Sequence, residues 1–219
     1  MSEAWLGPVG LYLGKGFLLT LKISVLSILL ATPLGILVGT LATSPNKWLV
    51  AVGRIYVELL RGVPSLMTLL FVFFALPRLG IETSPITASV LGLGLWSSAN
   101  IAEAMRGALG SISSDQAVSG RALGMTNFQT LIWVVLPQAL RRFLPPYVGQ
   151  LTFLIQASTL TSVVGVNELL GSSRQMIERL AYSTGDSHAI LLYGMVLAGF
   201  FAVCYPMTVI VEYLERRAH

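Results

Sequence analysis

Residues 114–137 read SDQAVSGRALGMTNFQTLIWVVLP, and this stretch decides how the rest of the chain is understood. It lies between two long apolar segments, so it reaches water on one side of a membrane. Ser114 or Asp115 can cap a helix whose first turn favours the Asp carboxylate. Gly124 supplies a left-handed stop at the end of that helix. Thr126 opens a second helix, with Gln129 at the three-residue spacing of a capping box. Leu136-Pro137 is expected to close it, because the residue before proline is pushed out of the helical region. A helix–Gly–helix elbow with Leu131, Ile132, Val134 and Val135 on its second arm reads as a docking surface for something in the water phase.

The membrane setting follows from composition. The chain is 54% hydrophobic and 11% charged, with a mean hydropathy of +0.76, whereas soluble domains carry roughly a quarter charged residues. The net charge of +4 comes without the basic–aromatic patches that nucleic acid requires, so no nucleic-acid partner is expected. A single cysteine, Cys204, permits no internal disulfide or thiolate metal cluster. His188 and His219 stand far apart and suggest no metal site. Met1–Leu13 lacks the basic start of a cleavable signal peptide.

Outward from the elbow, five apolar runs are long enough to matter. Ile23–Ala42 is the first span, its apolar character beginning near Phe17, with Lys22 snorkelling to the outer interface. Pro33, Gly35 and Gly39 favour close packing of a neighbouring helix. Trp48–Leu76 is the second. Its uncharged part, Gly62–Leu76, rises only about 22 Å against a core of about 30 Å, so the helix must begin earlier. Gly62-Val63-Pro64 marks a break or kink within it. Pro77–Ser84 is read as an external loop, Ser84–Ala102 as the third span, Phe143–Asn167 as the fourth, Glu168–Ser187 as a charged loop and His188–Val211 as the fifth.

Two E-x-x-R-G motifs, Glu58–Arg61 and Glu103–Arg106, pair glutamate and arginine at i and i+3 on one helix face. If the second and third spans are antiparallel, both motifs approach the same side of the membrane. They are either solvated interfacial salt bridges or a charged layer beside a translocation path, where paired ionisable groups face a cavity. The fourth span is polar inside (Gln150, Thr152, Gln156, Ser158, Thr159, Thr161, Ser162), which suits interhelical bonding or a polar path. Lysine and arginine set the orientation. Lys47, Arg121, Arg141, Arg142, Arg216 and Arg217 share one side; Lys15, Arg78, Arg174 and Arg179 share the other. The first is therefore cytoplasmic, giving an all-α bundle of five spans, N-terminus out and C-terminus in, as one domain over residues 1–219.

At ELLRGVP (58–64), NIAEAMRG (100–107), RALGM (121–125), LPQALRRFLPP (136–146) and YLERR (213–217) the chain resembles the permease subunits of bacterial ATP-binding-cassette importers for polar amino acids. That resemblance implies a type I importer permease fold in the bacterial inner membrane. It also implies an ATPase subunit dimer, a second permease, an extracytoplasmic amino-acid-binding protein, and ATP with Mg used by the ATPase rather than bound here. The elbow, within about 110–142, becomes the coupling segment, with Gly120, Arg121, Ala122, Leu123 and Gly124 set against the ATPase. Glu58, Arg61, Glu103 and Arg106 would form the path or inner gate, and Asn100, Gln156, Ser158 and Thr159 would line a midplane cavity. Two departures stand out. Val118, Ser119 and Gly120 replace the family's usual Glu-Ala-Ala, and Gln156-Ala157-Ser158-Thr159-Leu160 replaces Lys-Asp-Thr-Ser-Leu.

No catalytic site is expected, since no P-loop, G-x-S-x-G or HExxH occurs. An intramembrane hydrolase would need a nucleophile with a base, or paired metal ligands, at membrane depth. A self-sufficient secondary carrier or channel is the alternative function; carriers usually show duplicated halves, whereas this chain has a single elbow.

Overall fold

The computed structural model describes residues 6–218, and within them every side chain except those of residues 6, 184 and 218. The part of the signal-peptide reading that falls on residues 1–5, and the reading of His219, lie outside the described residues. The chain is helical, with no strand among the described residues. The elements are α1 (Leu6–Leu41), α2 (Lys47–Arg61), α3 (Ser65–Arg78), α4 (Pro85–Gly110), α5 (Ser114–Ala122), α6 (Asn127–Thr130), α7 (Leu136–Ala157), α8 (Leu169–Thr184) and α9 (Ala189–Ala218).

Helix α1 is the spine. Three buried clusters lie along it. Val9 and Leu13 pack with Leu169, Met176 and Leu180 of α8 and with Leu192 and Val196 of α9. Ile23 packs with Leu69 of α3, Leu93 of α4 and Leu154 of α7. Ala31 packs with Ile101 and Met105 of α4 and with Ala139 and Phe143 of α7. Close approach of α1 and α4 depends on Gly35 and Gly39: a Cβ on Gly35 would fall 2.7 Å from the Ser98 carbonyl oxygen, and one on Gly39 2.5 Å from that of Ala102. Small residues four apart let two helix backbones meet without the hydrophobic effect to press them together.

Two helices are long and apolar enough to cross a membrane by themselves, Gly7–Leu41 and Ala189–Arg217. Two further pairs qualify only together, across bends: Lys47–Arg61 with Ser65–Arg78 at 100°, and Asn127–Val164 with Leu169–Ser183 at 48°. The first bend falls at the foreseen Gly62-Val63-Pro64 break. Trp96 Nε1 of α4 donates to the Val63 carbonyl at 2.9 Å, holding the exposed turn in place. Helix α4 is less apolar than α1, with Ser89, Ser97 and Ser98 all fully buried. Half of its 26 residues are buried, so much of its surface meets protein and needs no apolar exterior.

Several boundaries differ from the sequence reading; α1, for one, begins at Leu6 and not near Phe17 or Ile23. Leu136-Pro137 does not end a helix. Residues Leu131–Val135 widen into a π turn, in which Leu136 N–H donates to the Leu131 carbonyl, five residues back. Pro137 then falls in the first turn of α7, where its missing N–H costs no bond. The stretch 168–187 is not a loop but mostly α8, and the C-terminal tail continues α9 to Ala218. Helix α8 is started by Glu168, whose carboxylate is fully buried. Its Oε2 accepts from Leu170 N and its Oε1 from Gly171 N, both at 2.9 Å. Thr20 of α1 donates to Oε2 at 3.3 Å and accepts from Leu169 N at 3.2 Å. A buried carboxylate spending its oxygens on orphan helix N–H groups needs no basic partner.

Candidate functional site

The elbow forms as its local signals require, one residue earlier than foreseen at its start. Ser113, not Ser114 or Asp115, caps α5: its Oγ accepts from Asp115 N at 3.2 Å and donates to Asp115 Oδ2 at 3.1 Å. Asp115 stands in the first turn, where the helix dipole favours a negative charge. At the other end Gly124 N donates to Arg121 O at 2.9 Å and Met125 N to Gly120 O at 3.2 Å, the paired bonds of a Schellman stop. Gly124 takes φ +83°. Thr126 and Gln129 then close a reciprocal capping box: Gln129 N donates to Thr126 Oγ1 at 3.2 Å and Thr126 N to Gln129 Oε1 at 2.8 Å.

Packing fixes the angle between the two arms. Gly120 is buried, and a Cβ there would meet Thr130 Cγ2 at 2.9 Å. Arg121, Ala122, Leu123 and Gly124 are exposed. The apolar side chains offered to solvent are not those anticipated. Leu131 and Val135 pack against the Ala139–Phe143 cluster, and Ile132 and Val134 are only partly exposed. The exposed ones are Val118, Leu123, Phe128 and Trp133, 53%, 84%, 72% and 72% accessible. Leu123 projects beside the Schellman glycine, where the helix end leaves it without neighbours.

A cavity of about 620 Å³ opens between α2 and α4, lined by Arg54, Glu58, Arg61, Asn100, Glu103 and Arg106 together with Ala42, Val50, Gly53, Val57, Gly62 and Ala102. Both E-x-x-R-G motifs thus meet at one place. Their pairing follows expectation in the second motif and departs from it in the first. Glu103 takes Arg106 in a two-pronged bond, Nε to Oε2 at 2.9 Å and Nη2 to Oε1 at 2.6 Å. Arg61 reaches across from α2 to the same carboxylate at 3.9 Å. Among the described residues Glu58 makes no ion pair with Arg61. Arg54 was not singled out as a site residue, although its i, i+4, i+7 spacing with Glu58 and Arg61 places all three on one helix face. Glu168 was likewise read only as loop charge.

The polar candidates divide. Asn100 lines the charged cavity and donates to the Trp96 carbonyl at 3.0 Å. Gln156 is exposed and faces a groove between α7 and α9 with Tyr193, Phe201, Cys204 and Thr208. Ser158 is fully buried, donating to Ile155 O at 2.7 Å, and Thr159 donates to Gln156 O at 2.7 Å. Both hydroxyls turn back to the carbonyl three residues earlier, at the point where α7 tightens into a 3-10 segment over Ser158–Val164. Asn100 and Gln156 do not share a cavity.

Comparison with known proteins places this architecture. The family described as "Binding-protein-dependent transport system inner membrane component" matches residues 31–219. The probable glutamine ABC transporter permease protein GlnP of Bacillus subtilis (strain 168) is 34% identical over 206 residues, 94% of this chain and 93% of that one. The glutamine transport system permease protein GlnP of Escherichia coli (strain K12) is 33% identical over 206 residues, covering 93% and 91%. Among solved structures, an amino acid ABC transporter crystallised with histidines superposes with a TM-score of 0.84 at 25% identity, over 99% of both chains. The inward-facing MetNI methionine ABC transporter shares the fold, with a TM-score of 0.72 at 20% identity. The chain belongs to the binding-protein-dependent transport system inner membrane component family.

Proposed function

We propose that this chain is the transmembrane subunit of an ATP-driven amino-acid importer in the bacterial inner membrane. It forms half of a translocation path and couples to a separate ATPase through the elbow. One observation carries the coupling. Helix α4 places Glu103 and Arg106 in the charged cavity, and after its end at Gly110 only three residues precede α5. A displacement of the elbow therefore acts on the cavity through a single rigid element. The exposed row of Val118, Leu123, Phe128 and Trp133 is the face offered to the ATPase dimer. With Val118 where a glutamate is usual, that contact is apolar.

In this reading the five spans are α1, the bent α2–α3 pair, α4, the α6–α7 segment and α9. The elbow is cytoplasmic, the N-terminus is outside and the C-terminus inside. Helix α8 lies at the outer end with Glu168. A second permease, identical or homologous, closes the open side of the charged cavity, and an extracytoplasmic binding protein delivers the substrate. The chain carries no catalysis of its own; ATP and Mg belong to the ATPase.

The test is reconstitution of the complex with its ATPase and binding protein, with uptake measured for a panel of amino acids. Uptake that requires ATP and stops when the ATPase is omitted is expected. Transport by the permease alone would instead establish a secondary carrier.

A further inference from the structure

At the cytoplasmic end of the bundle a second cavity, of about 340 Å³, lies between α7 and α9 and is lined by Arg141, Leu144, Leu214 and Arg217. Each helix contributes one leucine and one arginine three residues apart, so each pair shares a helix face. The helices run in opposite directions here, the start of α7 against the end of α9. On both, the arginine therefore lies on the water side and the leucine on the bilayer side. The apolar run of α9 ends near Val211, which puts Arg217 about 9 Å beyond it, at headgroup depth.

The two guanidinium groups are left available. Neighbouring Arg142 is committed, donating to the Ser111 carbonyl, whereas neither Arg141 nor Arg217 meets a carboxylate among the described residues. Arg217 is instead held over the Tyr213 ring at 4.5 Å, an aromatic at the level where such rings mark a membrane interface. On α9, Glu215 and Glu212 stand about 100° and about 200° around the helix from Leu214, away from the cavity.

We infer that this cavity binds the phosphate of an anionic phospholipid of the inner leaflet, between the Arg141 and Arg217 guanidinium groups, with its glycerol and acyl ends on Leu144 and Leu214. Guanidinium suits phosphate through its planar donors. A basic pocket between spans at the cytoplasmic face is the geometry that retains acidic headgroups. A soluble phosphate would gain nothing from the leucine floor, which favours the lipid as occupant. The inference rests on α7 and α9 being membrane spans with these ends in the cytoplasm.

The test uses the intact complex in mild detergent, with phosphatidylglycerol or phosphatidylcholine added and retained lipid counted by native mass spectrometry. The wild type is expected to retain phosphatidylglycerol preferentially, and Arg141→Gln/Arg217→Gln to lower that retention about tenfold. Unchanged preference in the variant overturns the site. So does displacement of the lipid by inorganic phosphate, which would make it a soluble-anion site. If the double variant fails to assemble, salt decides with the wild type: retention should fall between about 0.1 M and about 1 M, where screening shortens from about 10 to about 3 Å; constancy overturns the proposal. Amino-acid-stimulated hydrolysis, recorded on the same samples, reports separately on the transport assignment.

Discussion

Replacing Gly124 with valine tests the elbow through a single backbone dihedral. Gly124 sits at φ +83°, and a Cβ there would find no heavy atom within 4 Å. The substitution therefore adds strain without adding a clash. Left-handed backbone costs a non-glycine residue about 1–2 kcal/mol, and a β-branched side chain with little χ1 freedom belongs at the upper end. That range is a factor of about 5–30 in an equilibrium constant. The loss falls on the turn that sets α5 against α6, outside the spans, so insertion should persist. ATPase retained by a tagged permease is expected to weaken about 5–30-fold, with substrate-stimulated hydrolysis falling alongside. Gly124→Asn, which tolerates the left-handed region, should keep most of both. Normal retention and stimulation in the valine variant would refute the coupling assignment. An asparagine variant as impaired as the valine one would refute the dihedral argument.

Three further outcomes follow from the spans. Glu103→Gln removes the partner shared by Arg106 and Arg61. The pair is 31–49% exposed, so stability should change by less than about 1 kcal/mol and melting by no more than about 4 °C, while uptake falls; a large melting shift without loss of uptake would make the cluster structural. Gly39→Ala places a methyl 2.5 Å from the Ala102 carbonyl oxygen and should cost about 1–3 kcal/mol as α1 and α4 separate, read as a lower melting temperature of the purified complex; an unshifted melt would contradict the close approach. Gln156→Leu should alter substrate affinity or selectivity across an amino-acid uptake panel, and unchanged uptake of every amino acid would remove Gln156 from the path.

What could be read from the sequence was what local chemistry determines. The capping box at Thr126 and Gln129, the Gly124 stop and the Gly62–Pro64 break each depend on a few adjacent residues, and each formed. The errors came where distant residues intervene. Pro137 is accommodated because the π turn before it rearranges the backbone bonding, which no dipeptide rule anticipates. Glu168 looked like a solvated loop charge because its partners are backbone N–H groups and Thr20, 148 residues away. Arg61 was assigned to Glu58 on its own helix, but α2 lies against α4 across a shared cavity, where Glu103 is within reach. Leu131 and Val135 read as a surface stripe because the apolar pattern of a short helix does not say which neighbour will cover it.

The Thr20–Glu168 contact also has a consequence in time. At about 5–20 residues per second, roughly 7–30 s of synthesis separate the two residues, which lie 148 apart. Until residue 168 is made, the Thr20 hydroxyl lacks the partner it has in the folded chain. Its neighbour Ser24 donates to the Thr20 carbonyl at 2.8 Å, and Thr20 can occupy itself in the same way, with a carbonyl one turn back. When α8 packs, that hydroxyl meets Glu168 and Leu169 N, and Val9 and Leu13 lie in the same cluster as Leu169, Met176 and Leu180. The end of the bundle around Val9 and Leu13 can therefore close only once the final third of the chain has been made and meets the first.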